Sequence, residues 1–302
     1  MEENKIPDFL FQMLVNQYGE KNTDEILDGY KQKRFTTLRV NTIKSNVEEI
    51  KNELKNNKIE FQRVEWFESA FVLKNANEQD IKELDIYKQG KIYMQSLSSM
   101  LPPIILEPKE KEDILDMTAA PGGKTTELAA LSDNKSHITA CEKNKIRAER
   151  LKYNVEKQGA TNVFVMQKDS RNIDDFFKFD KILLDAPCSG SGTLNVENQN
   201  IEKIFTKQLV ERSSKVQFDL LKKAIKLLKK GNEMVYSTCS ILSCENEEIV
   251  QKILKTENVE VVPIEFEGME TLPKLPVNVP GTLCIKPDEY YEGFYVAKLR
   301  KK

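Results

Sequence analysis

Residues 113–132, "DILDMTAAPGGKTTELAALS", decide the fold. The stretch opens with the apolar run "DILDM", turns through "AAPGG" and continues with the helical pattern "GKTTELAALS". A tight glycine-containing turn between a strand and a helix lets a ligand approach backbone amides at the helix start. We therefore expect a ligand-binding loop here, although the stretch has neither GxGxxG nor the spacing of a P-loop.

The same alternation continues along the chain. Strand-like runs "HITACE", "NVFVMQKD", "DKILLDAP" and "GNEMVYSTCS" alternate with helical stretches, including "NKIRAERLKYNVEKQG" and "KVQFDLLKKAIKLLKKG". This pattern predicts an α/β fold with a doubly wound, mostly parallel sheet. A last strand, "EGFYVAKLRK", follows "VEVVPI" at a spacing that suits antiparallel pairing. Ligands of such sheets bind at the carboxyl ends of the strands.

The region before this sheet predicts a smaller α/β unit. Residues 7–30 have a helical pattern with Gly19 as a candidate C-cap, and "TTLRVNTIK", "EFQRVEW" and "AFVLK" have strand patterns around the helix "NVEEIKNELKNNKI". The stretch "LPPIILEPKEKED", with three prolines followed by charge, is the favoured boundary. The predicted domains are therefore residues 1–105 and 106–302.

Composition narrows the class of protein. No stretch approaches the roughly 18 apolar residues of a membrane span, and the acidic start is not typical of a secretory signal. The five cysteines are scattered, which favours reduced thiols, a cytoplasmic location and no bound metal. Nothing in the sequence demands more than a monomer.

Charge bears on the partner. The net charge of −2 and pI of about 5.9 differ from the domain pI above about 9 that many nucleic-acid binders have. Residues 30–44, "YKQKRFTTLRVNTIK", nevertheless carry five basic residues and no acid. These are Lys31, Lys33, Arg34, Arg39 and Lys44. They form either a solvated face or a local patch for phosphates.

Three acids lie at predicted strand ends. Asp116 ends the first strand, and Glu142, which ends the second, suits hydrogen bonds from a ribose diol. Asp169 ends the third strand and can accept from an adenine amino group. The acids alone are also compatible with a nicotinamide dehydrogenase, but the absence of GxGxxG weakens that alternative.

Two cysteines follow predicted strands in small polar turns: Cys188 in "DAPCSG" and Cys239 in "YSTCS". Such positions expose a thiol and favour thiolate, the nucleophilic form. The chain's one histidine, His137, begins a strand, so a Cys–His pair is not indicated. Two thiols with a carboxylate and a lysine suit attack on an electron-poor ring. We expect Cys141, Cys244 and Cys284 to be inert.

These motifs together resemble the RNA cytosine-5 methyltransferases of the Sun/nucleolar-protein group, over nearly the whole chain. The matching stretches are "TLRVNTIK", "YMQSLSSMLPP", "DMTAAPGGKT", "DAPCSGSGT", "YSTCSILSCENEE" and "GFYVAKL". The resemblance implies a Rossmann-like methyltransferase sheet with an antiparallel last strand and a small N-terminal α/β (RRM-like) domain that binds RNA. The implied cofactor is S-adenosyl-L-methionine.

The resemblance also implies roles for residues. Cys239 is the implied nucleophile, adding to ring carbon 6 of a cytosine, and Cys188 is implicated in product release. Asp185 and Lys124 would face the cytosine ring. The cofactor would rest on Ala119, Ala120, Pro121, Gly122, Gly123 and Lys124, with Glu142 at the ribose, Asp169 at the adenine and Asp185 near the methionine part. Arg147 either supports Glu142 or is a solvated helix residue, and Glu245, Asn246 and Glu247 are interpreted as structural.

The chain departs from the family pattern in places. Thr118 stands where the family usually has cysteine, Asn232 where a second glycine is common, and residues 195–217 lack the usual arginine- and proline-containing pattern. Because that segment would lie near the RNA, the target is open; we favour ribosomal over transfer RNA, with the base out of the stack. Two alternatives remain: Cys188 as the nucleophile, as in DNA cytosine-5 methyltransferases, and a non-catalytic RNA-binding or assembly factor.

Overall fold

The computed structural model describes residues 6–197 and 201–302. The first part of the chain contains α1 (Asp8–Lys31), β1 (Thr36–Val40), α2 (Val47–Asn56), β2 (Phe61–Val64), β3 (Phe67–Leu73), α3 (Glu78–Glu83), α4 (Asp85–Lys88), β4 (Ile92–Met94) and α5 (Leu97–Leu106). The four strands form an antiparallel sheet in the order β2-β3-β1-β4. Buried side chains of this sheet and of its helices, among them Leu38, Ile50 and Phe71, form a core of their own.

Gly19 interrupts α1, where a C-cap is predicted. It has φ 76° and ψ 167°, a conformation that only glycine adopts without strain. The chain resumes as a helix after it, and Thr23 Oγ1 donates to the Gly19 carbonyl at 2.8 Å. The predicted helix end is therefore a kink between two helical segments.

The second part of the chain forms the larger sheet. Its elements are β5 (Asp113–Asp116), α6 (Gly123–Leu131), β6 (His137–Cys141), α7 (Lys145–Gln158), β7 (Val163–Met166), β8 (Phe179–Asp185), α8 (Ile201–Ile204), α9 (Lys207–Leu227), β9 (Leu228–Thr238), α10 (Glu247–Thr256), β10 (Val259–Val262), β11 (Lys274–Leu275), β12 (Leu283–Ile285) and β13 (Phe294–Lys301).

The sheet order is β11-β12-β13-β9-β8-β5-β6-β7, with β10 also paired to β13. The pairs joining β7, β6, β5, β8 and β9 in that order are parallel, and β13 runs antiparallel to both β9 and β10. The predicted fold class, a mostly parallel sheet with an antiparallel last strand, is confirmed. None of the helices in the described ranges combines the length and apolarity needed to cross a bilayer.

The proline-rich stretch predicted as a boundary begins inside α5. Pro102 and Pro103 are inside this buried helix, which packs on α6, β8, β9 and β13. Proline cannot donate to the carbonyl four residues earlier. Gln95 Nε2 donates to the Ser99 carbonyl at 3.1 Å and so replaces the donor that Pro103 lacks. The helix spans the proposed boundary between residues 105 and 106, which stays a prediction.

Candidate active site

The site lies where the direction of the sheet connections changes. The chain runs from β5 to its neighbour β6 on one side. After β7 it crosses back to β8, which pairs with β5 on the other side. In open α/β sheets this crevice is the ligand site. Two chambers of about 300 and 190 Å³ open there. Their linings share Thr118, Ala120 and Asp185.

The loop after β5 is fixed from several sides. The Met117 amide donates to the Leu183 carbonyl at 3.0 Å, and the Ala119 amide to the Cys141 carbonyl at 2.9 Å. Thr118 Oγ1 donates to the Asp185 carbonyl at 2.7 Å. The loop therefore bonds the ends of both neighbouring strands, and threonine serves at the position where the family usually has cysteine.

The glycine pair of this loop has two different roles. Gly122 has φ +111°, and a Cβ there would lie 3.0 Å from Leu151 Cδ1 of α7. A Cβ on Gly123 would lie 3.1 Å from Cε1 of Tyr93. Gly123 lines the smaller chamber, whereas Gly122 lines neither chamber and permits the close packing of the loop on α7.

Lys124 and Asp185 form an ion pair at the centre of the site. The Lys124 Nζ lies 2.7 Å from Asp185 Oδ2 and donates to Ser99 Oγ at 2.6 Å. Asp185 Oδ1 accepts from Ser237 Oγ at 2.8 Å. Burial opposes the charge of Lys124, but Asp185 outweighs it and raises the lysine's pKa above its ordinary value. The lysine therefore carries a proton beside a carboxylate that faces both chambers.

The two cysteine thiols meet beside this pair. Cys188 follows β8 and Cys239 follows β9, and because these strands pair in parallel the two Sγ atoms lie 3.0 Å apart. The hydrogen bond to Cys239, with burial, raises the pKa of Cys188 well above its ordinary value. Cys188 therefore keeps its proton more firmly than a free thiol does.

The two predicted ribose and adenine acids line the larger chamber. Glu142 is buried, accepts from the Asn144 amide at 2.8 Å and lies 3.3 Å from Arg147 Nη1. Asp169 Oδ2 lies 2.6 Å from Arg171 Nη2, and this hydrogen bond lowers the pKa of Asp169. Both acids are held in place, and Asp169 is kept ionised.

Arg147, for which two interpretations were open, contacts the site on one edge. Its Nη2 donates to the Ala120 carbonyl at 2.9 Å while Nη1 approaches Glu142, although the side chain is 58% exposed. Arg147 therefore supports Glu142 and is also a largely solvated residue of α7, so both interpretations hold in part.

The predicted residues converge to a large extent. The larger chamber contains Glu142, Arg147, Asp169, Asp185, Cys188 and Cys239, and the smaller one Ala119, Pro121, Gly123, Lys124 and Asp185; Ala120 lines both. Sequence reasoning missed Tyr93, Gln95 and Ser99 in the smaller chamber and Arg171 in the larger one. The first three lie in the quoted "YMQSLSSM", whose polar residues were the available signal.

Arg39 and Lys44, two of the five basic residues in the stretch 30–44, are hydrogen-bonded to groups of the protein itself. Arg39 is 1% exposed and donates to Gln95 Oε1 and Thr126 Oγ1. It is therefore neither a solvated residue nor one that contacts phosphates. Its charge is used inside the protein, against Glu127 of α6. Lys44 Nζ donates to the carbonyls of Gln89 and Lys157. Neither Arg39 nor Lys44 therefore belongs to a surface patch for phosphates.

The three remaining cysteines are also buried wholly or in part. Burial raises the pKa of Cys141 to about 12 and that of Cys244 to about 11, and it raises the pKa of Cys284 as well. Thiols with such pKa values are poor nucleophiles near neutral pH. The inertness expected for these three is consistent with their surroundings.

The chambers fit the group that the resemblance implies. The larger one has an apolar floor that includes Met117 and Leu220, with Glu142 and Asp169 at its polar edge, which suits a nucleoside. The smaller one is bounded by Gly123 and Lys124 at the N-terminus of α6, a position that favours a carboxylate. Together they suit a nucleoside joined to an amino acid.

Comparison with known proteins agrees with this geometry. A family model described as 16S rRNA methyltransferase RsmB/F matches residues 103–300, and an RsmF/B-like ferredoxin-like domain matches residues 6–80. The tRNA (cytosine(49)-C(5))-methyltransferase of Pyrococcus abyssi is 35% identical over 95% of this chain and 95% of its own. Ribosomal RNA small subunit methyltransferase F of Vibrio atlanticus is 35% identical over 88% of this chain.

The match to the Vibrio protein extends over 57% of that protein's length, so the chain is shorter than this relative. The crystal structure of a methyltransferase homolog protein from Pyrococcus horikoshii superposes with a TM-score of 0.83 and 31% identity, covering 98% of this chain and 100% of that one. The expected fold and resemblance are confirmed. The chain belongs to the RsmB/F family of RNA cytosine-C5 methyltransferases, which use S-adenosylmethionine as methyl donor.

Proposed function

We propose that this protein methylates carbon 5 of a cytosine in RNA through a covalent bond between Cys239 and the base. The supporting observation is the meeting of two thiols, 3.0 Å apart, beside the Lys124–Asp185 ion pair. Carbon 5 of cytosine is a weak nucleophile until another nucleophile adds at carbon 6. The site therefore needs a thiolate, a group that stabilises charge on the ring, and a base.

In the proposed reaction the Cys239 thiolate adds to carbon 6, and the electron pair of the 5,6 double bond moves into the ring towards nitrogen 3. Asp185 and its partner Lys124 hold a proton where that charge develops. The bound cofactor supplies the methyl group to carbon 5. Ala119, Pro121 and Gly123 would hold its amino-acid end, and Glu142 and Asp169 would hold its nucleoside.

Release requires the loss of the proton on carbon 5. Cys188 is the proposed base: once Cys239 is bound to carbon 6, Cys188 gives up its own proton to solvent. Its thiolate sulfur then takes the proton of carbon 5, the 5,6 double bond reforms and the bond between carbon 6 and Cys239 breaks. The Cys239 thiolate is regenerated, and the proton on nitrogen 3 returns to the Asp185–Lys124 pair. The adjacent sulfurs suit this division because both must reach the same edge of one ring.

Variants of single cysteines test this mechanism. We expect Cys239→Ala to incorporate no tritiated methyl from S-adenosylmethionine into unmodified RNA. We expect Cys188→Ala to accumulate a protein–RNA adduct that survives a denaturing gel, because the adduct forms but is not resolved. Cys244→Ala, outside both chambers, is the matched control and should turn over normally.

Full turnover by Cys239→Ala would refute its assignment as nucleophile. An adduct in that variant would instead identify Cys188 as the attacking thiol, the alternative raised by the sequence. Binding of RNA by the wild type with no binding of S-adenosylmethionine in calorimetry would favour the non-catalytic assembly factor.

The class of RNA is a separate proposal. The preference for ribosomal RNA stays a prediction, as does the cytoplasmic location. Transfer RNA is the second candidate, because the P. abyssi relative that its name assigns to tRNA matches over 95% of its length, whereas the Vibrio rRNA enzyme extends well beyond the match. Methyl incorporation into unmodified transcripts of small-subunit rRNA and of tRNA, followed by bisulfite sequencing, separates the two.

A further inference from the structure

One buried carboxylate is bonded to both cysteine turns. Glu245 lies in a short 3-10 turn, Ser243–Glu245, and is 0% exposed. Its Oε1 accepts from the Ser189 amide at 2.8 Å and its Oε2 from Ser189 Oγ at 2.5 Å. The same Oε2 accepts from Ser240 Oγ at 2.6 Å. Ser189 follows Cys188 in sequence and Ser240 follows Cys239, so one carboxylate joins the two turns.

The turn of Cys239 is held on its other side too. Thr238 Oγ1 donates to Asn246 Oδ1 at 2.6 Å, and Asn246 Nδ2 donates to the Ser240 carbonyl at 2.8 Å. Both neighbours of Cys239 are therefore fixed from inside the protein. The cysteine between them is half-buried and lines the larger chamber.

The charges around the two thiols differ. The groups acting on Cys188 are Cys239, the carboxylate of Glu245 and the Gly190 amide, and the Glu245 charge opposes ionisation of Cys188. The cation Lys124 interacts with Cys239. Besides the two serines, Glu245 accepts from the neutral Gln217 Nε2 at 3.3 Å. A negative group thus faces one thiol and a positive group faces the other.

We propose that Glu245 is a positioning residue of the two-thiol site, which fixes the separation of the two sulfurs and places its negative charge beside Cys188. The proposal deepens the covalent mechanism and rests on it. It gives Glu245 a functional role in place of the structural one inferred from the sequence. Geometry and charge act separately and are tested separately.

Glu245→Gln removes the charge while retaining the shape. Its amide oxygen can accept from the Ser189 amide, and its NH₂ can donate to the serine hydroxyls, each of which can reverse its hydrogen bond. Glu245→Ala removes the link altogether. Glu248→Gln, on the first turn of α10 and exposed, is the matched control for loss of an acid nearby.

The first measurement is iodoacetamide alkylation against pH without RNA or cofactor, with mass spectrometry to assign the site. In a Cys239→Ser background, we expect Glu245→Gln to speed alkylation of Cys188 near neutral pH by about three- to tenfold, because a like charge is removed. Glu248→Gln should match its parent. Equal rates in the Glu245→Gln and parent proteins would overturn the electrostatic half of the proposal.

The second measurement is the rate at which oxidised glutathione converts the Cys188–Cys239 pair to a disulfide. The two thiols are oxidised to a disulfide, and their two protons and two electrons pass to one molecule of oxidised glutathione, which becomes two of glutathione. We expect Glu245→Ala, once shown by circular dichroism to be folded, to form the disulfide more slowly than the wild type and Glu248→Gln. An unchanged rate would overturn the geometric half.

Activity then links the two measurements to catalysis. We expect folded Glu245→Ala to lose about 100-fold in kcat, with the KM for S-adenosylmethionine little changed, because a small displacement of reacting atoms is costly. Neither thiol measurement requires RNA or methyl transfer. Failure of the covalent mechanism would appear in the Cys239→Ala assay, whereas failure of this proposal would appear in the alkylation and disulfide rates.

Discussion

Replacing Arg39 by methionine tests how the two sheets are joined. The guanidinium of this β1 residue donates to Gln95 Oε1 and to Thr126 Oγ1, each at 3.2 Å. Its Nε lies 3.9 Å from Glu127 Oε2, with both side chains buried. Methionine retains much of the volume and loses every polar contact. The variant isolates the polar connection between β1 and α6.

The expected cost follows from these contacts. Two hydrogen bonds from a charged donor contribute about 1.5–3 kcal/mol each, and removing one member of a buried ion pair typically costs about 3–5 kcal/mol. Burial raises the pKa of Glu127 to about 8 even beside Arg39, so near neutral pH the carboxyl already carries a proton in much of the population, which limits the loss. We expect the free energy of unfolding to fall by about 3 kcal/mol near neutral pH.

Urea unfolding followed by circular dichroism measures this loss, with unchanged m-values as the check that unfolding remains two-state. The companion variant is Glu127→Gln, which leaves the Arg39 charge without an acidic partner. The double variant should be more stable than the sum of the single losses predicts, by about 0.5–3 kcal/mol. A loss below about 1 kcal/mol for Arg39→Met, or strict additivity, would refute the reasoning.

Three further predictions concern single positions. Because the pKa of Glu127 is raised from 4.5 to about 8, its contribution to stability is present below pH 4.5 and is lost as the pH rises through about 8. In urea unfolding at a series of pH values, Glu127→Gln should flatten that decline. Gly192→Ala should destabilise the fold by about 2 kcal/mol or more, because a Cβ would lie 1.9 Å from the Gly293 carbonyl oxygen. It should also slow methylation, because the Gly192 amide donates to the Cys239 carbonyl. A normal melting temperature would contradict this. Asp185→Asn should retain binding of S-adenosylmethionine in calorimetry but lower kcat by about 100-fold or more, because the amide cannot share the proton of Lys124. A kcat equal to that of the wild type would exclude the proposed role of Asp185.

The sequence predicted the features that depend on local pattern. The strand, glycine turn and helix around residues 113–132 identified the start of the parallel sheet. Because the carboxyl ends of parallel strands share one edge, the placement of Asp185, Cys188 and Cys239 at one site followed from strand assignment. The observed pairing of β8 with β9 supplies the physical basis for that inference.

Long-range partners could not be predicted in this way. Arg39 and Thr126 are 87 positions apart, and Ser189 and Glu245 are 56 apart. A charged residue on an alternating strand has the pattern of a solvated or ligand-binding residue, and sequence period alone does not show that a second sheet covers it. For the same reason Ser99, although it lies in a polar segment, could not be placed next to Lys124 from the sequence alone.

The proximity of the thiols bears on the order of steps in the proposed mechanism. Two thiolates whose sulfurs lie 3.0 Å apart repel each other, so ionisation of Cys239 holds the proton on Cys188. Addition of Cys239 to the base converts its sulfur to a neutral thioether, which removes both the charge and the hydrogen bond that raise the pKa of Cys188. The base needed for release therefore becomes easier to ionise only after the covalent bond has formed. Within this mechanism, Glu245 sets the initial preference for Cys239, and the bond to RNA reverses the roles of the two thiols.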